Sequence, residues 1–477
     1  MASYKRIRKI EDKSEKDRVV DRLLDIRKKL SAAIPEKTAT QTLLLATWNI
    51  REFGGERTQE SLYYIAEIID HFDLVVIQEL NSKELDGLEG VLNILGDNWS
   101  YVMSDGVEGS AGGSEAMAFV YNTNKVTFTG LAGEIVLAGD KTMGGIQFAR
   151  TPFMVSFRAG WFDFKLCTVH IFYGEDVVDG VYQRRLKEIK AVSDFLLKRQ
   201  ESDDISYILL GDFNIPDTEG VYFNALVENR YITKGGKEKT KEKFFIPQEI
   251  RKHPTDLGRV SHYDQIAFSL NLDRNMVLYD DDEQRAGAFN FTDSVYKPED
   301  WEIYQPLYQE AYDAVIEGEK ERFAKSLAAY AEKKAKYDEN MKKYEQDRAQ
   351  YDILKAEYKK AGGVGEKPTL PQKPREPSVP NTTHTTKKEY FTGVWRTHQM
   401  SDHLPLWVEL KIDFDLVDGT IRNLRYTAGC HGNLQALGAL LEGQPVEFAL
   451  DRLTGINCKE RGTSCSDQLT RVLRAVL

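Results

Sequence analysis

Eight residues of this 477-residue chain have types that do chemistry together: Asn49, Glu79, His170, Asp212, Asn214, Asp264, Asp402 and His403. Six carry carboxylates or amides, and the other two are imidazoles. Carboxylate and amide oxygens are hard ligands suited to Mg²⁺, with Mn²⁺ as a substitute, and no cysteine stands among them. Two histidines beside acids can act as general base and general acid, each acid fixing a tautomer and supporting the imidazolium. Hydrolysis of a phosphate ester needs this inventory: a cation to offset charge, a base for water and an acid for the leaving oxygen.

The positions of these residues in the pattern of the chain are as informative as their types. The apolar runs "LLLATWN", "DLVVIQE", "LCTVH" and "YILLGDFN" each finish on a member of the set. In "YDQIAF" and "SDHLPLWVEL" the polar residues come first instead. Leu404, Leu406, Val408 and Leu410 alternate with Pro405, Trp407 and Glu409, which is the period of a half-buried strand. Strands that run toward a common rim end there, and strands that run away from it begin there. The two arrangements together bring all eight residues to one edge of a β core.

Around those runs the texture from about residue 42 to 281 is short strands with occasional helices, such as Leu62–Phe72 and Val181–Lys198. It reads as a two-layer β core with helices packed outside. Residues 1–40 form an amphipathic helix, with Val19, Leu23, Ile26 and Leu30 at helical spacing and Pro35 closing it. Residues 282–361 are a charged helical insertion, and 362–389 a Pro-rich return segment. The β texture resumes over 390–414, so the insertion lies between strands of one domain, 41–281 with 390–414. Residues 415–477 fit none of these patterns and are left as a small C-terminal appendage. Its Cys430, His431, Cys458 and Cys465 could form a zinc site, although no C-x-x-C pair supports it.

Composition sets further bounds. A net charge of -11 argues against coating nucleic acid by bulk electrostatics, but not against a local basic groove. No apolar run approaches the ~20 residues of a membrane span, so no membrane contact is expected. The charged N-terminus lacks the apolar core of a signal peptide, and Cys167 stands far from the other three cysteines, so an intracellular, cytoplasmic protein is expected.

The segments "WNIREFG", "DLVVIQEL", "FARTPFMVSF", "LLGDFN", "YDQIAF" and "SDHLP" resemble the endonuclease/exonuclease/phosphatase superfamily, and within it the deoxyribonuclease I-like nucleases. The resemblance implies a four-layer α/β sandwich and Mg²⁺-dependent cleavage of phosphodiester bonds, with nucleic acid, DNA before RNA, as substrate. Carried over by position, Glu79 is the principal metal carboxylate, with Asn49 and Asp402 close to the ion. His170 and His403 are the acid–base pair, Asp264 orients His403, and Asp105 in "MSDGVEG" supports His170. Asp212 and Asn214 hold the scissile phosphate and the attacking water. Arg51 is a substrate contact, while Asn122 and Asn81 stand where the family carries phosphate-contacting arginines, which weakens the expected grip on duplex DNA.

An inositol-phosphate phosphatase or an RNase would share the scaffold. The first is disfavoured because "SHYDQI" and Ile215–Pro216 depart from that branch's motifs. A scaffold without activity, binding a partner through its helical arm at 298–361, is the rival of another class; the intact Glu79, His170, Asp212, Asn214, Asp264, Asp402 and His403 argue against it. The Lys-rich stretch 233–253 could reach backbone phosphates or be a solvated loop. In the arm, Phe323, Tyr330, Tyr337, Tyr344, Tyr351 and Tyr358 recur every seven residues, with Leu327 and Met341 between, as on one face of a coiled-coil helix. Tyrosine rows are platforms for proline-rich strands, so the Pro-rich segment either lies back along them or is a loose tether after a plain antiparallel helical hairpin.

Overall fold

A computed structural model describes residues 2–38, 42–106, 114–138, 145–159, 162–174, 177–202, 206–232, 238–269, 285–381, 384–411, 415–417, 420–422, 431–458 and 464–475. The chain divides into two compact units, one of Met1–Val295 with Arg396–Leu477 and one of Tyr296–Trp395.

The first unit is built from α1 (Lys13–Ala33), β1 (Thr42–Phe53), α2 (Gln59–Ile69), β2 (Leu74–Asn81), α3 (Asp86–Leu95), β3 (Trp99–Met103), β4 (Glu115–Asn122), β5 (Val126–Glu134), β6 (Phe153–Ala159) and β7 (Phe162–His170). It continues with α4 (Gln183–Ser202), β8 (Ser206–Asp212), α5 (Val221–Val227), β9 (Phe244–Phe245), β10 (Asp264–Ser269), β11 (Ala286–Ala288) and β12 (Leu406–Lys411). One six-stranded sheet has the order β11-β12-β1-β2-β4-β3, the other β9-β10-β8-β7-β6-β5. Both are mixed and built alike. A central parallel pair, β1 with β2 or β7 with β8, is flanked by antiparallel neighbours, β12 and β4 or β10 and β6.

The sheets face each other across one apolar core. Leu43, Leu45, Val76 and Phe119 of the first sheet share it with Val155, Phe157, Leu166 and Leu209 of the second. Phe119 and Tyr121 meet the Phe157 ring at 5.6 and 5.2 Å. Fully burying side chains of this size is worth about 1.5–3 kcal/mol each, which makes this layer the main source of stability. A polar tie crosses it at Gln78. Buried Gln78 on β2 donates to Thr47 Oγ1 at 3.1 Å and to Thr168 Oγ1 of the other sheet at 3.0 Å. With helices on the outer faces, this is the four-layer α/β sandwich expected from the sequence.

The N-terminal helix α1 buries Val19, Leu23, Ile26 and Leu30, the four residues its periodicity singles out. Its polar edge reaches α2, where Arg18 pairs with Glu60 at 3.0 Å and Arg27 with Glu67 at 2.7 Å. Residues 286–288, placed in the helical insertion by sequence, are instead an edge strand on β12. The insertion therefore begins at 296. After β12 come a short hairpin, Asp415–Val417 with Thr420–Arg422, and α7 (His431–Leu441), α8 (Val446–Leu453) and α9 (Cys465–Ala475). Ile421, Leu441, Val446, Ala449, Leu453, Leu469 and Leu473 form a small separate core there. Cys430 and the side chains of His431 and Cys465 lie outside the described residues; Cys458 is exposed.

The second unit is a hairpin of helix and extended chain. Its helix, α6, runs unbroken over Trp301–Lys360, 60 residues or about 90 Å. Gly318 lies within it, but a single helical glycine costs only about 1 kcal/mol, too little to break so long a helix. Pro368, Pro371, Pro374, Pro377 and Pro380 recur every third residue, each half-buried, with exposed residues between. Three residues per turn is the period of a polyproline II helix, so the prolines share one face. That conformation has no internal hydrogen bonds and needs a support. On α6 the half-buried Phe323, Tyr330, Tyr337, Met341, Tyr344, Tyr351 and Tyr358 form the matching row, while Leu327 is 41% exposed.

Polar contacts fix the register. Thr385 donates through Oγ1 to Glu319 at 2.6 Å, Tyr312 donates to the Thr385 carbonyl at 3.1 Å, and Lys334 pairs with Glu376 at 2.7 Å. These contacts advance along the helix about twice as fast in residues as along the strand, as rises of about 1.5 and 3.1 Å require. The base is closed by rings: Tyr304 stacks on Phe391 at 5.9 Å, and Trp395 meets Tyr296 at 5.3 Å. The packed return strand carries a prediction. Trypsin should cut slowly after Arg375 in the native protein, and faster in a Tyr337→Ala/Tyr344→Ala variant. Rapid cutting between Lys367 and Arg375 in the unmutated protein, with the first unit left intact, would rule out the packed strand.

Candidate active site

The paired topology decides which residues share a rim. In the parallel pair β1–β2, Asn49 lies opposite Gln78, one residue before Glu79. In β7–β8, His170 lies directly opposite Asp212, and in the antiparallel β8–β10 pair Asp212 lies opposite Asp264. The chain enters β12 just after His403, whose carbonyl accepts from the Trp48 indole at 2.9 Å. The ends of the parallel pairs and the beginnings of their antiparallel neighbours therefore meet.

Local backbone features aim these side chains. The β1–β2 and β2–β4 registers both shift at the rim, between Asn49 and Phe53 and between Ile77 and Leu80. Such bulges re-aim side chains at sheet edges. Glu79 and Asn214 both hold positive φ, 60° and 53°, the kind of strain that clusters at functional sites. Gly211, before Asp212, has φ 129°, and a Cβ there would stand 2.2 Å from the Val169 carbonyl oxygen. Only glycine lets β8 press this close to β7 and deliver Asp212 beside His170.

At the centre is Asp212. Its Oδ2 accepts from Asn49 Nδ2 at 3.0 Å, and its Oδ1 from the Asn214 backbone at 2.8 Å. The Nε2 atoms of His170 and His403 lie 3.6 and 3.8 Å from the same Oδ2. Each ring is backed by a carboxylate at Nδ1: His403 by Asp264 Oδ2 at 2.7 Å, His170 by Glu115 Oε2 at 3.2 Å. Glu79 accepts from Asn49 Nδ2 at 2.9 Å and lies 3.8 Å from His170 Nε2. Asn214 Nδ2 donates to the Ile171 carbonyl at 2.8 Å. Arg51, half-buried on β1, donates to Thr397 Oγ1 at 2.6 Å.

The electrostatics follow from this packing. Burial opposes charge on His403, but Asp264, Asp212 and Asp402 outweigh it and raise its pKa well above the ordinary histidine value. Burial raises the Asp264 pKa, and His403 works against that rise. Glu115 is also disfavoured as an anion by burial, yet His170 and Arg150 overcome this and hold its carboxyl at about 2.

Two sequence assignments are corrected. Asp105 is exposed after β3, and Glu115 takes the place beside His170. Asn122 closes β4 at the rim away from Glu79. β4 runs antiparallel to β2, so Tyr121 pairs with Leu74 at one end and Glu115 with Asn81 at the other. Asn81 does stand at the site's rim, its side chain accepting from the Lys83 backbone at 3.1 Å. Arg150 of "FARTPF", which no sequence signal ties to the site, forms a two-pronged pair with Glu115, one prong at 2.9 Å. Of the Lys-rich stretch, 233–237 lies outside the described residues. Lys243 is buried and serves the fold, bonding Ser193 Oγ at 3.1 Å and pairing with Asp194 at 2.7 Å.

The comparison that decides the family covers this same core. Residues 46–274 match the Endonuclease/Exonuclease/phosphatase family. This part of the chain belongs to the endonuclease/exonuclease/phosphatase superfamily. Among curated relatives, Deoxyribonuclease-1 of Rattus norvegicus is 27% identical over 183 residues, covering 36% of this chain and 60% of its own length. Deoxyribonuclease-1 of Homo sapiens is 26% identical over 183 residues, with 36% and 61% covered. The chain thus spans about three-fifths of the relatives it matches. The human Nocturnin catalytic domain overlaps 48% of this chain and 83% of its own at 16% identity and a TM-score of 0.34, an overlap that carries no weight of its own.

Residues 374–477 match a second family, the TSCPD domain. The match begins in the Pro-rich segment and includes Ser401–His403 and β12. The tail stretch Thr463–Asp467, "TSCSD", differs from the five letters of that name at one position. The second match therefore takes in β12, which follows His403 and pairs with β1 in the first sheet.

Proposed function

We propose that this protein is a divalent-metal-dependent phosphodiesterase, an intracellular endonuclease that cuts DNA to 5′-phosphate and 3′-hydroxyl ends. The observation that carries the reading is the convergence of two carboxylate-backed histidines on Asp212. Phosphodiester hydrolysis needs a proton taken from water and another given to the leaving oxygen, at one phosphorus. His170 and His403 present Nε2 to a common point from two sheets, and each Nδ1 faces a carboxylate, at 3.2 Å for His170 and 2.7 Å for His403.

The residues present fit a hard cation. Asn49 Oδ1 is buried without a hydrogen-bond partner, beside the Glu79 carboxylate. Glu79, Asn49 and Asp402 would hold Mg²⁺, or Mn²⁺ in its place. Asp212, Asp264 and His403 also bring ligand atoms within 4.8 Å of one another. That trio is the poorer cage, because Asp264 and His403 already satisfy each other at 2.7 Å. When bound, the cation offsets charge on the phosphate oxygens. The chain's own residues do the rest. Asp212 and Asn214 position phosphate and water, one histidine accepts the water proton, and the other protonates O3′ as its bond to phosphorus breaks. Asp264 and Glu115 keep the two rings in the orientation and tautomer this requires.

DNA as substrate is supported by the names of the curated relatives. No helix among the described residues is long and apolar enough to cross a membrane. A 5′-labelled oligonucleotide offered as single strand, duplex and RNA, with and without Mg²⁺, tests the reading. Fragments with 5′-phosphate and 3′-hydroxyl termini, dependent on the metal, are expected. Release of phosphate from a monoester with no internal cleavage would overturn it in favour of a phosphomonoesterase.

A further inference from the structure

Three residues beyond His170 the chain presents an aromatic ring that the reaction does not use. Tyr173 is 61% exposed although it directly follows a buried strand and its loop. One face of its ring is covered by the Arg185 guanidinium, whose carbon lies 4.9 Å from the ring centre. Arg185 opens α4, is only 3% exposed, and also stacks on Tyr182 at 4.3 Å and Tyr222 at 5.1 Å. Its polar atoms are turned to the site. Nη1 donates to the Asn214 carbonyl at 2.8 Å and Nε to the Phe172 carbonyl at 3.3 Å. A single guanidinium thus separates the Tyr173 ring from the loop carrying Asp212 and Asn214.

The neighbouring hairpin extends the same surface. Val177 pairs with Tyr182 and Val178 with Val181 across a turn in which Asp179 and Gly180 both hold positive φ, 51° and 78°. That turn type closes a tight two-residue hairpin. Val177 and Val178 are 45% and 52% exposed, and the Tyr182 ring lies 6.1 Å from that of Tyr173. The result is an open, apolar, aromatic ledge, held by a buried cation and set beside the phosphate-positioning loop.

We propose that Tyr173, supported by Arg185 and the 177–182 hairpin, is a stacking subsite for an unpaired nucleobase next to the scissile phosphate. The proposal rests on the phosphodiesterase reading and narrows its substrate to nucleic acid with an accessible base, single-stranded or locally opened. Two features favour a base over other occupants. A fixed ring with one free face suits a planar partner, and stacking tolerates any base because each has a π face. The phosphate site alongside dictates a ligand with alternating planar and anionic groups. The ledge also supplies a grip where Asn81 offers no charge to a duplex backbone.

The test compares the full-length protein with Tyr173→Ala and Tyr173→Trp on two oligonucleotides of equal length. One is an ordinary single strand; the other has abasic linkages around the cleaved bond, so that phosphates are kept and bases removed. Expected is a rise in KM of about 10-fold for Tyr173→Ala on the ordinary strand, the usual size of losing one stacked base. Little change in kcat is expected, no effect on the abasic strand, and recovery in Tyr173→Trp. Equal losses on both strands, or no loss on either, would overturn the subsite. If the unmutated protein nicks supercoiled plasmid but cleaves neither strand, the subsite falls and the phosphodiesterase reading stands; if it cleaves none of the three, that reading falls as well. The two failures are thereby distinguished.

Discussion

His403→Ala should lower turnover by at least ~10²-fold, the usual contribution of a positioned acid or base. The ring is held in one place, because its main chain is tied on several sides. The His403 backbone N–H donates to Ser401 Oγ at 2.9 Å, the carbonyl accepts from Trp48, and the next residue's N–H donates to the Thr255 carbonyl at 2.7 Å. The ring is held by Asp264 at 2.7 Å and by Tyr263, whose ring centre is 5.6 Å away. Asp264→Asn should act in the same direction, since an amide neither fixes the tautomer nor supports the imidazolium. The measurement is kcat at saturating substrate and metal, with thermal unfolding of each variant as a check on folding. Wild-type rates in His403→Ala at pH 7 would show that the rim has been assigned wrongly.

The second large effect belongs to Glu79. Glu79→Gln should leave little activity at low Mg²⁺, and excess Mn²⁺ should restore part of it. The substitution keeps the shape of the side chain and removes the charge that a hard cation requires. Asn49 Nδ2 and the Glu52 backbone N–H donate to the two Glu79 oxygens at 2.9 and 3.0 Å, and a glutamine can accept with only one. Some local rearrangement is therefore expected besides the weaker metal site. A titration of rate against metal concentration separates the two: a shifted midpoint with a recovered plateau marks a metal ligand. A lowered plateau at every concentration would mean that Glu79 acts elsewhere than on the metal.

Much of this site is legible in the sequence because strand direction converts order along the chain into position in space. Asn49, Glu79, His170 and Asp212 finish apolar runs, while Asp264 and His403 precede them, and the register brings these ends together. The same rule, applied to "EAMAFVYN", places Glu115 at the rim and Asn122 away from it. The family resemblance instead carried the supporting acid onto Asp105 and a substrate contact onto Asn122. What was missing is the knowledge that β4 runs antiparallel to β2, which depends on pairing between residues far apart in the chain. Arg150 was out of reach for a related reason: it belongs to no strand and is recruited by Glu115 across the rim.

The insertion shows the opposite balance. Proline every third residue and tyrosine every seventh are local patterns with fixed rises, so the hairpin of helix and polyproline strand follows from spacing alone. Its start at 296 does not, because the three-residue edge strand β11 has too little sequence to signal itself. The Tyr173 ledge was also invisible in sequence, since a tyrosine in a loop acquires meaning only when Arg185 is seen beneath it.

The most direct test of the central claim is a time course of supercoiled plasmid nicking by the purified full-length chain in Mg²⁺ and in EDTA, with the His170→Ala/His403→Ala variant alongside. The account predicts nicked and then linear plasmid in Mg²⁺, no nicking in EDTA, and none by the double variant. Full nicking in EDTA, or by the variant without both histidines, would contradict it.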